Sequence, residues 1–233
     1  MQLSARLEKL IELAGSGSCA ADIGTDHGMV PIELVRRGRF ERAVASDLRE
    51  GPLTAASVHV RQAGLADRIS LRLGDGLSVL SPGEADVILI SGMGGALMQR
   101  MLTEGREATA SAVRLVLSPQ SEIPAFRSFL QKNGFRIADE AIVFEDGKYY
   151  VLMTAEPGKQ TPWRKADRLY GKHLLKAGGA TVEAYLIRRI AVLEEILRNI
   201  ADREGLKAER KRRETEEELV LAREALNGIA RPD

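Results

Sequence analysis

Between residues 18 and 134, five short apolar runs alternate with segments of helical period, and most of the runs end in an acid or a glycine. No other feature of the chain constrains its fold as tightly. Parallel strands can be joined only by crossovers long enough to hold a helix, so this alternation predicts an open, mostly parallel sheet with helices on both faces. The strand-like runs are 18–23, "RAVASD" (42–47), "ISLRLGDG" stopping at Asp75-Gly76, "ADVILISGMGG" (85–95) with its glycine turn, and "VRLVLSP" (113–119). Helical spacing marks Leu3 to Ala14, Met29–Arg37, Leu53–Ala63, Ala96–Leu102 and 123–134, and "FRIADEAIVFEDGKYYVLM" reads as a hairpin about Asp146-Gly147. In sheets of this kind a ligand sits beyond the carboxyl ends of the strands, where the strand order reverses. The carboxyl ends carry Asp22, Asp47, Asp75, Gly92 and Ser118.

After Pro157 the character changes. Residues 156–233 hold 17 Lys and Arg against 14 acids, and Val182, Tyr185, Leu186, Ile190, Leu193, Ile196, Leu197 and Ile200 form one helical stripe. A second helix over Leu206–Leu226 would close an antiparallel pair, so the chain divides into a sheet domain, 1–156, and a helical domain, 157–233. Within "KAERKRRETEEE", Lys207, Arg210, Lys211, Arg212 and Arg213 suit either a solvated helix face or a contact surface for a polyanion. The net charge of +1 provides no global basic field. A single cysteine excludes an internal disulfide, and three histidines with that cysteine show no metal-ligand spacing, so no metal is expected. No segment reaches the length of a membrane span and the N-terminus lacks the pattern of a secretion signal, so a cytoplasmic protein is expected.

The stretch "DIGTDHG" (22–28) narrows the ligand. A dinucleotide fingerprint needs G-x-G-x-x-G, whose middle glycine lets backbone approach a pyrophosphate. Here Thr25, Asp26 and His27 separate Gly24 from Gly28, and the additional carboxylate would repel a diphosphate. S-adenosylmethionine carries no phosphate and is positively charged, which makes it the expected cofactor. Asp22 can then face its ammonium, and Asp47, with Leu48 beside it, can accept both ribose hydroxyls. Asp75 can take the adenine amino group while Gly76 leaves room for the ring and Leu77 covers it. Gly24 and Gly28 permit close backbone approach, His27 sits in the same loop, and Gly92 with Met93 would line the methyl-transfer mouth. Asp47 and Asp75 suit a helix N-cap equally well. The fourth strand ends in "SGMGG", with no side-chain carbonyl to bind an amine and no aromatic to stack on its base, so exocyclic amine methylation is disfavoured.

These motifs together resemble the bacterial tRNA (adenine(22)-N1)-methyltransferase family, TrmK. The likeness is carried by "LSARL" (3–7), "ADIGTDHGMVPI" (21–32), "SD" (46–47), "GDGL" (74–77), "SGMGG" (91–95), "LSPQ" (117–120) and "EDGKYY" (145–150), with "LYGKHLL" (169–175) opening the tail. It implies a Rossmann-like class I methyltransferase sheet with a C-terminal coiled-coil-like helical domain. It also implies methyl transfer from S-adenosylmethionine to N1 of an adenine in the D-arm of tRNA, by a monomer. Alkylation at N1 makes the base cationic, and Asp26 is the candidate acid for stabilising that charge or taking a proton from N6, with His27 second. Arg6, within "LSARL", would neutralise the methionine carboxylate, and the tail would grip the tRNA. Two other classes compete: a methyltransferase of the same fold acting on a small molecule or protein, which the basic tail argues against, and a nicotinamide-dependent oxidoreductase, which the missing glycine argues against.

Overall fold

The structure is a computed structural model, and it describes residues 3–229. The chain divides into two compact units, Met1–Pro162 and Trp163–Asp233. The first contains strands β1 (Gly17–Ile23), β2 (Phe40–Asp47), β3 (Ile69–Leu73), β4 (Val87–Met93), β5 (Arg114–Pro119), β6 (Phe135–Glu145) and β7 (Lys148–Pro157). They form one sheet in the order β3-β2-β1-β4-β5-β7-β6. The first five run parallel, and β7 is antiparallel to both its neighbours. The helices are α1 (Ala5–Ala14), α2 (Met29–Arg36), α3 (Glu50–Gln62), α4 (Gly95–Glu104), α5 (Arg106–Ser111) and α6 (Ile123–Lys132). Crossovers from β1 toward β3 and from β4 toward β5 run in opposite directions along the sheet, so right-handedness puts their helices on opposite faces. The strand order reverses between β1 and β4, and that is where a crevice opens.

Central strands covered on both faces read as continuous apolar runs. Ile88, Leu89 and Ile90 of β4 and Leu115, Val116 and Leu117 of β5 are all buried to 1% exposure or less. The core also encloses one ion pair, Arg127 of α6 with Glu140 of β6 at 2.7 Å, whose mutual neutralisation lets both charges lie out of water. At its carboxyl end β4 departs from regularity. Its register against β5 shifts between Ser91 and Met93, and Gly92 there has φ of 79°. A bulge of this kind re-aims the chain next to a binding site.

The second unit consists of α7 (Lys165–Tyr170), α8 (Lys172–Ala177), α9 (Ala180–Asn199) and α10 (Leu206–Gly228). Helices α9 and α10 lie antiparallel, tied by Arg189–Glu218 at 2.6 Å and Glu194–Arg223 at 2.8 Å. Val182, Leu186 and Leu193 bury one stripe of α9, and Leu219, Ala222 and Ala225 that of α10. The sequence reading ends the sheet domain at 156, whereas the first compact unit reaches Pro162. Gln160 accounts for the extension: its carboxamide accepts from the Ile137 N–H and donates to the Ile137 carbonyl, holding the segment to β6. Among the described residues no helix is long and apolar enough to cross a membrane.

Candidate active site

A cavity of about 460 Å³ lies at the carboxyl ends of β1, β2 and β4, bounded by Arg6, Asp22, Thr25, Asp26, Asp47 and Gly92 among others. A second hollow of about 200 Å³ continues past Leu48 to Asp75 and Gly76, and the two share Gly24, Asp47, Arg49 and Met93. The result is one elongated crevice of the size that takes a nucleoside-sized ligand. Two glycines at positive φ, Gly24 and Gly92, line it. Gly24, at 78°, turns the chain off β1 so that its own N–H and that of Thr25 both reach the Ser46 carbonyl, each at 2.8 Å. A Cβ on Gly24 would stand 2.0 Å from the Met93 methyl, so Met93 crosses the place that any side chain would fill.

Asp22 stands at the floor of the crevice, 7% exposed. Burial pushes its carboxyl up to about 6; the neighbouring Thr25 hydroxyl softens the rise, and the charge of Asp47 adds to it. Buried Ser46 Oγ and Arg6 Nε make no hydrogen bond among the described residues. A buried acid held above its ordinary range and two polar atoms without partners, all at one crevice, describe a site shaped for a polar ligand that carries positive charge. Asp47 is turned by its own loop: its Oδ1 accepts from the Arg49 N–H at 2.8 Å, and the Arg49 guanidinium stands 3.5 Å away. Asp75 is half exposed and faces the Arg100 guanidinium at 3.4 Å.

Arg6 reaches the crevice from α1. Glu145 of β6 holds it, accepting from the Arg6 backbone N–H at 3.3 Å and lying 3.8 Å from its Nε, and its guanidinium rests on the Tyr150 ring at 4.9 Å. Asp26 and His27 stand at the mouth, 83% and 53% exposed, with the carboxylate 3.5 Å from the His27 ring. The His27 carbonyl in turn meets His59 Nδ1 at 2.9 Å.

Not every residue expected in the crevice lines it. Gly28, at φ 71°, lets the loop pack on α3, where a Cβ would lie 3.1 Å from the Ala56 Cβ. Leu77 turns inward beneath Gly105, with no room for a Cβ between them, and does not line the crevice. Asp75 begins the short 3-10 turn Gly76–Val79 without capping it through its side chain. In the tail, Arg210 pairs with Glu214 at 2.8 Å, and Arg212 spans the end of α9, donating to the Ile200 and Ala201 carbonyls at 3.0 and 2.9 Å. Lys207, Lys211 and Arg213 are exposed and make no ion pair among the described residues. Conversely, the sequence reading passed over Arg49, Arg100, Glu145, Tyr150 and Gln120 as site residues. The "EDGKYY" and "LSPQ" motifs held the only trace of the last three.

Comparison with known proteins agrees with this geometry. A methyltransferase-domain family matches residues 3–153. The tRNA (adenine(22)-N1)-methyltransferase of Bacillus subtilis is 38% identical over 178 residues, covering 76% of this chain and 72% of that protein. The crystal structure of the B. subtilis tRNA methyltransferase TrmK superposes with a TM-score of 0.88 at 32% identity, covering 97% of this chain and 99% of that one. Streptococcus pneumoniae Sp1610, solved in complex with S-adenosyl-L-methionine, superposes with a TM-score of 0.87 at 31% identity, covering 97% of this chain and all of that one. Matched in fold over nearly its whole length, and in sequence over most of it, the chain belongs to the tRNA (adenine(22)-N1)-methyltransferase family.

Proposed function

We propose that this protein transfers the methyl group of S-adenosylmethionine to N1 of adenine 22 in the D-arm of tRNA. The observation that carries the reading is the crevice at the β1/β4 reversal, which offers carboxylates where a dinucleotide site would offer a diphosphate cradle. Its residues fit the donor. Buried Asp22 would take the ammonium, Arg6 the carboxylate, and Asp47 the ribose hydroxyls, with Asp75 and Gly76 toward the adenine. When bound there, S-adenosylmethionine supplies an electrophilic methyl group.

The chain's own task is mainly positioning. N1 presents an in-plane lone pair, and aligning it with the methyl group can provide about 7–11 kcal/mol of barrier reduction in favourable cases. N1 also lies on the base-pairing edge, so the adenine must be unpaired or turned out, at a cost of a few kcal/mol. As the bond forms the base gains positive charge. Asp26, at the crevice mouth beside His27, would stabilise that charge or accept a proton from N6. Of the five expected tail cations, Lys207, Lys211 and Arg213 make no ion pair among the described residues and stay available for phosphate, whereas Arg210 and Arg212 are already engaged within the helical unit. A cytoplasmic monomer belongs to the same proposal.

Transfer of labelled methyl groups from S-adenosylmethionine to unmodified tRNA, set against small-molecule and protein acceptors, tests the reading. Label must enter tRNA. Label entering only the other acceptors would overturn the assignment.

A further inference from the structure

The loop after β5 is fastened to the loop after β4 bond by bond. The Gln120 N–H donates to the Met93 carbonyl at 2.8 Å, the Gly95 N–H to Ser121 Oγ at 3.3 Å, and the Ala96 N–H to Glu122 Oε2 at 3.1 Å. The contact is close enough that a Cβ on Gly95 would stand 2.5 Å from the Ser121 carbonyl oxygen. Glu122 holds the left-handed conformation, φ 53°, as one of two non-glycine residues with positive φ among those described. Such backbone strain persists only where the surroundings impose it, and it gathers at functional sites. What the clamp fixes is Gln120. Its side chain lines the crevice, with Nε2 3.9 Å from where a Cβ on Gly92 would be. The residue is exposed, and among the described residues its carboxamide has no hydrogen-bond partner.

We infer that Gln120 is the residue that selects adenine at the transfer mouth, its Oε1 accepting from N6–H and its Nε2 donating to N7. The inference rests on adenine N1 methylation as proposed above. A carboxamide matches the N6/N7 edge of adenine with two parallel hydrogen bonds, and contacts on that edge leave the in-plane lone pair of N1 uncovered. Held this way, the base offers N1 with nothing in front of it. Guanine presents O6 and N7 there, two acceptors, so the carboxamide oxygen would face O6 unfavourably, and pyrimidines have no such edge. The residue supplies what the "SGMGG" turn lacks, an amide carbonyl for the base, from the neighbouring strand.

A two-by-two kinetic comparison tests this, using wild type and Gln120→Ala, each with tRNA carrying adenine or 7-deazaadenine at position 22. The deaza base keeps N1 and N6 and lacks the N7 acceptor. The expected result is that the deaza substitution lowers kcat/KM of the wild type by about tenfold and that of the variant by less than about twofold. Gln120→Ala with ordinary tRNA should lose about ten- to a hundredfold in kcat/KM. Its affinity for S-adenosylmethionine, measured by calorimetry, should stay within about twofold of wild type, which also reports on folding. An equal deaza penalty in both proteins, or unchanged kcat/KM in Gln120→Ala, would overturn the assignment. Failure of the wild type to methylate ordinary tRNA would instead sink the parent reading, and this one with it.

Discussion

Asp22 offers the sharpest test of how the crevice is built, because the same burial that prepares it for a cation weakens the protein without one. Its carboxyl rises from 3.8 to about 6, chiefly through burial. The native state therefore holds a proton that the unfolded chain has already released, and stability falls as pH rises through this window. Below the unfolded value the penalty is absent; above about 6 it is complete. Two pKa units at 1.36 kcal/mol each amount to about 3 kcal/mol. Asp22→Asn removes the ionisation and keeps the shape. In the absence of S-adenosylmethionine the variant should equal wild type near pH 4 and be more stable by up to about 3 kcal/mol near pH 8. Denaturant unfolding across that range, followed for both proteins, measures the difference directly. The same variant should lose S-adenosylmethionine affinity severely. In wild type that affinity should rise with pH to a plateau above about pH 6, with a proton released on binding at lower pH. A stability difference that stays flat between pH 4 and pH 8 would refute the reasoning, since it would mean that Asp22 titrates alike in both states.

Three further outcomes follow from particular contacts. Gly24→Ala forces a side chain into positive φ and against the Met93 methyl, so S-adenosylmethionine affinity by calorimetry should fall by at least about tenfold. Glu145→Ala releases Arg6 from its anchor and should raise the dissociation constant for S-adenosylmethionine several-fold while leaving tRNA affinity unchanged. In the tail, neutralising Lys207, Lys211 and Arg213 together should weaken tRNA binding and flatten its salt dependence by about three units of log–log slope at most. Arg212→Ala should instead destabilise the helical pair by about 1–3 kcal/mol in unfolding experiments, because it strips the Ile200 and Ala201 carbonyls after α9 of their donor.

What the sequence disclosed and what it hid divide along a physical line. Asp22, Asp47 and Gly92 were legible because each ends an apolar run, and the ends of parallel strands meet at one edge whatever lies between them. The bulge at Gly92 was foreshadowed only as a glycine turn. Gly28 and Leu77 were placed in the crevice on local pattern alone, yet each is settled by a residue 28 positions further along the chain, Ala56 and Gly105 respectively. Arg212 was grouped with its basic neighbours although its partners, the Ile200 and Ala201 carbonyls, belong to the turn that ends α9. Gln120, Glu145 and Tyr150 enter the site because β5 lies beside β4 in the sheet and the β6–β7 hairpin lies beside β5, and strand order is not written in any single window of sequence. The short helices α5, α7 and α8 escaped for a related reason. Six residues each are too few to display a period, and tertiary packing rather than propensity forms them.

The central claim is that an acid-lined crevice delivers a methyl group to one nitrogen of one tRNA adenine. Unmodified tRNA incubated with the protein and S-adenosylmethionine, then digested and mapped by mass spectrometry, tests it most directly. The account predicts a single new methyl group, on N1 of adenine 22, lost when that nucleotide is replaced by guanine. A methyl group on N6, on another nucleotide, or on a tRNA without adenine at that place would contradict it.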